Sequence, residues 1–486
     1  MLKSAMFRCG QLCSRVFAVE FDLRTEPLYF TLSSTPQELH HAHQQLFGDG
    51  EKLFSLHVHC DNRTEKARTH AEIKHKLSDT LSRDCDVFEA SAFIPNVKNS
   101  VVKGFFIRDK STTSLSEDIL KTLQQSKSVC VFSYKREGQH CWQEQWSPVS
   151  PVEDSVRKYV TPAAAAEHHP STLNIRNADV YYCMNEAYEV LQECTDIIPE
   201  SKEVLKLVDE QLEKSRGEGF PVIVIEGLDA TGKTTLTEAL RDTLNATLLK
   251  SPPQCLAPFR QRFDSEPPLI RRAFYALGNY ITAAHIGKES QRAPVIVDRY
   301  WHSTAAYAIA TAVGGRVENL PKPDSELYQW PEDLLKPNLV LLLTVSPEER
   351  LRRLRDRGQD KTVEEAELEI NQLFRLKCCQ LQGGEGAIVA YRSLWKRWWE
   401  EDQRETICVF CASITLRPRS HMYTGIFINR VFPSSVLRKN LHPHENAKAC
   451  YEALSRACQA NRWRFNLNHK AMLANQKPEK VSSRRR

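Results

Sequence analysis

The sequence predicts an α/β protein built on a doubly wound parallel sheet. Three short runs of mostly branched apolar residues, at 220–225, 294–297 and 339–345, have the composition of strands that are buried on both faces. Stretches with helical periodicity separate these runs, so strands and helices alternate along the chain. A glycine-rich G-x-x-x-x-G-K-T pattern follows the first run directly. We therefore expect a P-loop NTPase fold over residues 179–375.

The glycine-rich loop begins at Gly227 and leads into a helix near Lys233. Its glycines let backbone N–H groups point at phosphate oxygens, and the positive end of the following helix adds to the attraction. Lys233 is placed to reach the β- and γ-phosphates of a nucleotide, and the Thr234 hydroxyl is a ligand for Mg²⁺. The alternative, a glycine-rich turn that binds nothing, does not account for the flanking strand and helix. The predicted phosphate-binding residues are Gly227, Leu228, Asp229, Ala230, Thr231, Gly232, Lys233, Thr234 and Thr235.

Two charged residues end the second apolar run. Asp298 and Arg299 stand at the carboxyl end of a strand that is expected to neighbour the loop strand. A carboxylate at this edge is suited to organise Mg²⁺ beside the phosphates, and an arginine there is suited to hold a second phosphate. A surface ion pair between the two side chains is the alternative. We predict Thr234 and Asp298 as metal ligands, and Lys233, Asp298 and Arg299 as catalytic residues.

An arginine-rich helix is predicted after the third run. The sequence Ser-Pro-Glu-Glu at 346–349 is a capping box with proline at the first helical position, so a helix begins there. Arginines on such a segment stabilise the charge that develops during phosphoryl transfer. We predict Arg355 and Arg357 as catalytic residues. We interpret Arg350 and Arg353 as ordinary surface residues.

A helix between the first two runs carries candidate binding side chains for a second substrate. Arg271, Phe274, Tyr275 and Asn279 recur at helical spacing. An arginine, aromatic rings and an amide in this arrangement are able to hold a phosphate, stack on a base and bond to its edge. The alternative is an amphipathic helix whose aromatic residues pack in the core.

The region before the sheet has no phosphate-binding loop of its own. Residues 1–19 include basic residues and serines but no acidic residue, which is typical of a mitochondrial transit peptide; an ordinary basic N-terminus is the alternative. Strand-like and helical stretches alternate over residues 20–146 and predict a smaller N-terminal α/β or α+β domain. Ser-Pro and Thr-Pro pairs and a run of four alanines predict a linker at 147–178.

Charge and cysteine content narrow the function classes. The net charge is +5, but residues 376–486 hold 20 Lys or Arg against 8 Asp or Glu, so the preceding chain is acidic. We interpret this segment as a solvated basic tail rather than a specific nucleic-acid site, with RNA or anionic lipid as the alternative. No apolar run approaches the ~18 residues of a membrane-spanning helix. Cys408 and Cys411 form a C-x-x-C pair without regular zinc spacing, so we predict no zinc site.

The motif-bearing stretches resemble the thymidylate-kinase-like family of nucleoside monophosphate kinases. The matching residues are 224–233, 248–253, 273–280, 295–304 and 328–337. The resemblance implies transfer of the ATP γ-phosphate, with Mg²⁺, to a pyrimidine nucleoside monophosphate, with dUMP, dCMP, CMP and UMP as acceptors. ATP and these acceptors are the implied partners, and a homodimer is compatible with the family. Together with the N-terminal composition, the resemblance favours a mitochondrial location.

The resemblance also implies acceptor-side roles for individual residues. Asp229 would meet the acceptor sugar, and Arg299 would hold the acceptor phosphate. Phe274 or Tyr275 would stack on the acceptor base. Thymidylate kinases have a thymine-binding arginine four residues after the stacking aromatic, and counting from Tyr275 this chain has Asn279 there. An amide serves the edges of uracil and cytosine, which favours UMP and CMP over thymidylate.

Two departures from the family pattern leave alternatives open. Ala230 stands where some relatives place a loop arginine, and relatives without it take the arginine from the lid, the segment that holds Arg355 and Arg357. After Arg375 the chain no longer follows the expected strand and closing helix, and residues 376–486 are unmatched. An ATP-binding regulatory protein with impaired catalysis is therefore one alternative hypothesis, and a thymidylate kinase is another. A GTPase is disfavoured because no Asn-Lys-x-Asp motif occurs. A nucleoside kinase is disfavoured because an unphosphorylated sugar needs fewer arginines.

Overall fold

The computed structural model describes most of residues 11–356 and a few positions beyond them. The described residues are 11–21, 25–48, 50–81, 84–111, 113–125, 128–147, 157–211, 219–322, 325–343, 347–356, 371, 373–374 and 376–378, with the paired two-residue strands Gly425–Ile426 and Asn466–Leu467. They divide into two compact units. The first holds the described residues up to 202 with 261–274 and 308–321, and the second holds those of 203–260, 275–307 and 322 onward.

The first unit contains a closed antiparallel β-barrel. Its strands are β1 (Val16–Val19), β2 (Leu28–Ser33), β3 (Lys52–Val58), β4 (Cys85–Phe93), β5 (Val102–Asp109), β6 (Val129–Glu137), β7 (His140–Gln145) and β8 (Lys158–Pro162). They close in the order β1-β2-β8-β7-β6-β3-β5-β4, and every neighbouring pair is antiparallel. Closure leaves this sheet without an edge strand among the described residues.

The barrel has an inner and an outer core because side chains alternate along each strand. On β3, Leu53 joins the inner cluster with Phe106, whereas Leu56 faces outward. Leu56 packs there with Ile73 and Leu120. Ile73 and Leu120 belong to α2 (Arg63–Thr80) and α3 (Leu115–Gln124) on the outside of the barrel, whereas α1 (His41–Leu46) contributes Leu46 to the inner cluster.

Three expectations for this region need correction. The antiparallel pairing excludes the α/β alternative and leaves the α+β one. A transit peptide that reaches residue 19 does not fit the structure, because Val16–Val19 forms β1 and Leu12 is buried in the inner core; residues 1–10 lie outside the described residues. The predicted linker at 147–178 contributes the barrel strand Lys158–Pro162 and the 3₁₀ helix Pro170–Asn174.

Between the barrel and the parallel sheet, the chain forms two helices, α4 (Met184–Glu193) and α5 (Glu200–Gln211). Pro199 lies directly before the second helix, and the residue before a proline is disfavoured in helical conformation. Proline itself is well placed at a helix start. The proline therefore separates this segment into two helices.

The second unit contains a four-stranded parallel sheet, which confirms the fold class predicted for the main domain. Its strands are β9 (Val222–Glu226), β10 (Thr247–Lys250), β11 (Val295–Asp298) and β12 (Leu339–Leu342), in the order β10-β11-β9-β12. All three neighbouring pairs are parallel, so the strands end at one carboxyl edge. The three apolar runs are strands as expected, whereas β10 was not predicted from its composition.

Helices lie between these strands along the chain, and one more helix follows the last strand. They are α6 (Lys233–Leu244), α7 (Arg260–Asp264), α8 (Pro268–Glu289), α9 (Trp301–Ala312) and α10 (Pro347–Asp356). Shorter 3₁₀ segments are Gln254–Phe259, Val317–Asn319 and Glu326–Tyr328, in addition to Gln11–Ser14 near the start of the chain. Within the described ranges, no helix combines the length and apolar character needed to cross a membrane.

Candidate functional site

The predicted phosphate-binding loop joins β9 to α6. A Cβ at Gly227, where φ is 142°, would lie 2.3 Å from the backbone oxygen of Leu343, so no side chain fits at this position. Gly232, with φ of 99°, is the left-handed residue that caps the start of α6. The two glycines thus allow the loop to curve around the N-terminus of a helix, the geometry that binds phosphate. Thr235 is exposed in the first turn of that helix.

Lys233 lies buried within the loop. Its ammonium group donates to the Leu228 carbonyl oxygen at 2.8 Å. Burial and the nearby Arg299 together lower the pKa of Lys233 to about 8, although Asp229 and Asp298 oppose the shift. A buried ammonium whose bonded partner is a neutral carbonyl is well suited to exchange that partner for an anionic phosphate.

Asp229 and Arg299 form an ion pair between the loop and the end of β11. Arg299 also donates to the Ser303 hydroxyl at 3.0 Å, and the Tyr307 hydroxyl donates to the second oxygen of Asp229 at 3.3 Å. Burial alone would raise the pKa of Asp229, but Arg299 and Lys233 outweigh it and hold the pKa well below its usual range. The pair is therefore ionised and fixed by neutral hydroxyls on α9.

Asp298 and Thr234, the two predicted metal ligands, lie close together. The Thr234 hydroxyl is 3.5 Å from Oδ2 of Asp298. The other oxygen, Oδ1, is buried and accepts no hydrogen bond from any described residue. A buried carboxylate oxygen without a partner, next to a hydroxyl and beside the phosphate loop, is the donor set that a hard cation such as Mg²⁺ prefers.

Glu226 is a site residue that sequence reasoning missed. It ends β9 and is fully buried. Its carboxylate accepts hydrogen bonds from the backbone N–H of Tyr300 at 2.9 Å and of Ser303 at 3.3 Å, and from the Ser303 hydroxyl. It thus caps the N-terminus of α9 and orients the residues after Arg299. An acidic residue ending an otherwise apolar strand was the signal available in the sequence.

Two arginines of α10 contact the phosphate loop. Arg350 is only 3% exposed, and its Nε donates to the Asp229 backbone oxygen at 3.0 Å. Arg353 lies one turn later and donates from Nη1 to the backbone oxygens of Ala230 at 3.3 Å and Thr231 at 3.2 Å. Their i, i+3 spacing places both side chains on the helix face that meets the loop.

The prediction of which α10 arginines lie on the surface is therefore wrong for two of them. Arg350 and Arg353, interpreted from the sequence as surface residues, are the ones that bond to the loop. Arg355, predicted to be catalytic, is exposed, and Arg357 lies outside the described residues. The rotation of the helix about its axis decides which arginines face the loop. The position of an arginine near the turn after the helix does not reveal that rotation.

The candidate acceptor-binding residues occupy different environments. Arg271 and Phe274 belong to the first unit, whereas Tyr275 and Asn279 belong to the second. Phe274 is fully buried and its ring stacks on Phe263 with centroids 4.5 Å apart, so it is a core residue. Arg271 is partly buried and donates to a backbone oxygen at the end of α7. Of the two aromatic candidates, Tyr275 is the one whose ring is not fully buried.

Asn279 is buried in a three-residue hydrogen-bond network. The Ser251 hydroxyl donates to Oδ1 of Asn279 at 2.7 Å, and Nδ2 of Asn279 donates to the Thr304 hydroxyl at 3.1 Å. The backbone N–H of Ser251 donates to the Asp298 carbonyl at 3.2 Å, which places the network at the carboxyl edge of the sheet. Asn279 is therefore already bonded on both sides of its amide.

The structure brings Asp229, Lys233, Asp298 and Arg299 to one edge of the sheet, as the motifs predicted. This arrangement is suited to bind phosphate groups beside a carboxylate whose Oδ1 has no hydrogen-bond partner among the described residues. Within the described ranges, no group of three or more His, Cys, Asp or Glu side chains is placed to hold a metal ion. The Cys408 and Cys411 pair lies outside the described residues.

Comparison with known proteins points to one family. The family model described as thymidylate kinase matches residues 225–391. The UMP-CMP kinase 2, mitochondrial, of Homo sapiens is 43% identical over 352 residues, which cover 68% of this chain and 77% of that protein. A probable thymidylate kinase of Picrophilus torridus is 28% identical over 145 residues, covering 29% of this chain and 71% of the relative.

Solved structures give weaker matches. A thymidylate kinase structure from Candida albicans has a TM-score of 0.27 and 20% identity, covering 38% of this chain and 93% of that one. A deoxyadenosine kinase from M. mycoides with bound dATP has a TM-score of 0.28 and 16% identity, covering 39% and 90%. Neither TM-score reaches 0.5.

Proposed function

Since this chain belongs to the thymidylate kinase family, with UMP-CMP kinase 2 among its relatives, we propose that it transfers the ATP γ-phosphate to UMP, CMP, dUMP and dCMP. The enzyme is a nucleoside monophosphate kinase. The observation that carries the choice of reaction is the ion pair between Asp229 in the phosphate loop and Arg299 directly after the neighbouring strand. This ion pair joins the loop for the donor phosphates to an arginine that is able to bind the phosphate of a second substrate. An enzyme that only hydrolyses ATP does not need such an arginine.

The donor phosphates bind along residues 227–235. Backbone N–H groups of the loop and the N-terminus of α6 attract the negative oxygens. Lys233 exchanges its bond to the Leu228 carbonyl for oxygens of the β- and γ-phosphates. The attraction of the phosphates offsets the effect of burial, which lowers the pKa of Lys233 in the free protein to about 8.

Thr234 and Asp298 are the residues that would hold Mg²⁺. The partnerless Oδ1 of Asp298 and the adjacent hydroxyl support this assignment. When bound, the cation neutralises charge on the donor phosphates. The protein contributes by holding the carboxylate in place beside the loop and next to the Thr234 hydroxyl.

The acceptor binds on the other side of the loop carboxylate. Arg299 holds the acceptor phosphate, and Asp229, fixed by Tyr307, faces the acceptor sugar. Tyr275 stacks on the base. An oxygen of the acceptor phosphate then attacks the γ-phosphorus, the bond to ADP breaks, and the pyrimidine nucleoside diphosphate is released. The attacking phosphate is already ionised near neutral pH, so the step needs no dedicated base.

Arg350 and Arg353 take the charge-stabilising role that we assigned from the sequence to Arg355 and Arg357. Both bond to backbone oxygens of the loop that holds the donor phosphates. Nη2 of Arg350 is buried and has no hydrogen-bond partner among the described residues. That free donor is suited to the negative charge that spreads over the transferred group. We keep mitochondrial location as part of the proposal, because the human relative carries it in its name.

An acceptor panel tests this function directly. The full chain with MgATP should form ADP when UMP, CMP, dUMP or dCMP is added, more slowly with dTMP, and not with cytidine. EDTA should abolish the signal. Failure to turn over any pyrimidine monophosphate would overturn the proposal, and ATP binding without turnover would favour the regulatory alternative.

A further inference from the structure

The Ser251–Asn279–Thr304 network lies where the base of a bound acceptor would end. Ser251 follows β10 and bonds to the Asp298 backbone, and Thr304 follows Ser303, which bonds to Arg299. Asn279 stands one helical turn after Tyr275 on α8, on the same face. Ser251 and Asn279 are buried, whereas Thr304 is partly exposed. Thr304 is therefore the member of the network that a ligand reaches.

The network fixes what the Thr304 hydroxyl offers to a ligand. Because Nδ2 of Asn279 donates to Thr304, the Thr304 proton is free to be donated elsewhere. Ser251 supports this state by donating to Oδ1 of Asn279. The two ends of an amide have nearly the same shape, so a half-turn of the Asn279 amide exchanges donor and acceptor. After the half-turn Thr304 donates to Asn279, and its oxygen becomes an acceptor for the ligand.

Uracil and cytosine differ in the same way at position 4. The 4-oxo group of uracil accepts a hydrogen bond, whereas the 4-amino group of cytosine donates one. In the observed orientation Thr304 offers a proton, which matches uracil. In the turned orientation it offers a lone pair, which matches cytosine. Ser251, itself a hydroxyl, donates to Asn279 in the first state and accepts from it in the second.

We propose that Thr304 recognises the 4-substituent of the acceptor base and that Asn279, anchored by Ser251, is the positioning residue whose amide turn lets one site accept both UMP and CMP. The inference rests on the proposed function, since it requires a pyrimidine monophosphate in this site. The proposal replaces the prediction that the Asn279 amide itself contacts the base, because both ends of that amide are already hydrogen-bonded to other side chains.

Replacing Asn279 with aspartate tests the turn. A carboxylate only accepts, so Thr304 must donate to it and is held as an acceptor towards the base. We expect the ratio of the UMP Kd to the CMP Kd to rise by about tenfold to 100-fold, since uracil would face an unpaired acceptor. Calorimetry on the full chain at pH 8 measures both constants without relying on turnover. Asn245→Asp, at the exposed C-terminal cap of α6, is the matched control and should leave the ratio unchanged.

Thr304→Val provides a second measurement that does not place a charge in the network. Both Kd values should rise by about threefold to tenfold, with their ratio kept within about twofold. An unchanged ratio in Asn279→Asp, or unchanged affinities in Thr304→Val, would overturn the proposal, as would a wild-type chain that binds neither nucleotide. A different outcome would contradict the proposed function alone. In that case the wild-type chain binds UMP and CMP and the variants change the Kd values as expected, but the wild-type chain phosphorylates neither nucleotide.

Discussion

The barrel of the first unit and the sheet of the second bury polar groups in different ways. Inside the barrel, the Ser55 and Tyr134 hydroxyls lie 3.0 Å apart, and the Gln143 amide donates to Tyr134 at 2.7 Å. Burial lowers the pKa of His57 to about 4, so this inner residue is also neutral near pH 7. At the edge of the sheet, by contrast, Asp229 and Arg299 are held in their charged forms.

The difference separates neutral hydroxyl and amide groups that bond to one another from charged groups that are available to a ligand. The neutral hydroxyls and amide of the barrel bond mainly among themselves and add to the stability of the closed sheet. The charged edge leaves Oδ1 of Asp298 and Nη2 of Arg350 without partners among the described residues. Such groups cost stability unless something binds them, which is typical of a functional site. Substitutions in the two regions should therefore affect different measurements.

The largest effect is expected from removing the loop ammonium group. Lys233→Met should lower kcat by about 100-fold to 1,000-fold, because the main contact to the transferred phosphate is lost. A coupled ADP assay with UMP measures the change. Lys288→Met, on an exposed position of α8, is the control and should keep wild-type turnover. Near-normal turnover in Lys233→Met would contradict the assignment of this edge as the catalytic centre.

A smaller loss should distinguish the arginines on α10. Arg350→Met should lower kcat/KM by about tenfold to 100-fold, since its buried guanidinium bonds to the phosphate loop. Arg355→Met should change kcat/KM by less than about threefold, because Arg355 is exposed. The two variants remove the same group from the same helix and serve as controls for each other. The reverse order of effects would restore the sequence-based assignment.

The charged edge was largely predictable from sequence, and the reason is local spacing. The loop motif places Lys233 and Thr234 side by side at the start of the helix that follows the loop. Asp298 comes at the end of an apolar run whose composition clearly predicts a strand. Parallel strands end at the same edge, so these residues had to meet. Glu226 was missed because its partners, Tyr300 and Ser303, come into reach only through the pairing of β9 with β11.

The barrel was less predictable because its pairings are distant along the chain. Strand β1 closes the barrel by pairing Val16 with Phe93, and β8 joins from a segment whose proline and alanine content indicated a linker. Composition identifies individual strands but does not reveal which strand pairs with which. The same limit applies to the facing residues of α10, where the phase of the helix depends on tertiary packing.

A substitution in the barrel should change stability alone. Tyr134→Phe leaves the Ser55 hydroxyl and the Gln143 amide without this partner, and it should lower the free energy of unfolding by about 1–3 kcal/mol. Thermal unfolding followed by tyrosine and tryptophan fluorescence measures the change, with Tyr159→Phe, at a partly exposed barrel position, as the control. The Kd for ATP should stay the same. A weakened ATP affinity would contradict the separation between the two regions.

The smallest predicted effect is the response of ATP binding to pH. The pKa of Lys233 is lowered to about 8, so in the free protein this group is mostly charged at pH 7.5 and mostly neutral at pH 8.5. Bound phosphates attract the ammonium form and raise its pKa, so ATP binding near pH 8 takes up a proton. Affinity is therefore greatest below pH 8 and decreases as the pH rises through it, by about threefold between pH 7.5 and 8.5. Calorimetry in two buffers of different ionisation enthalpy measures both the Kd and the proton uptake. Proton release on binding, or an affinity that increases with pH, would show that Lys233 does not supply the charge that holds the phosphates.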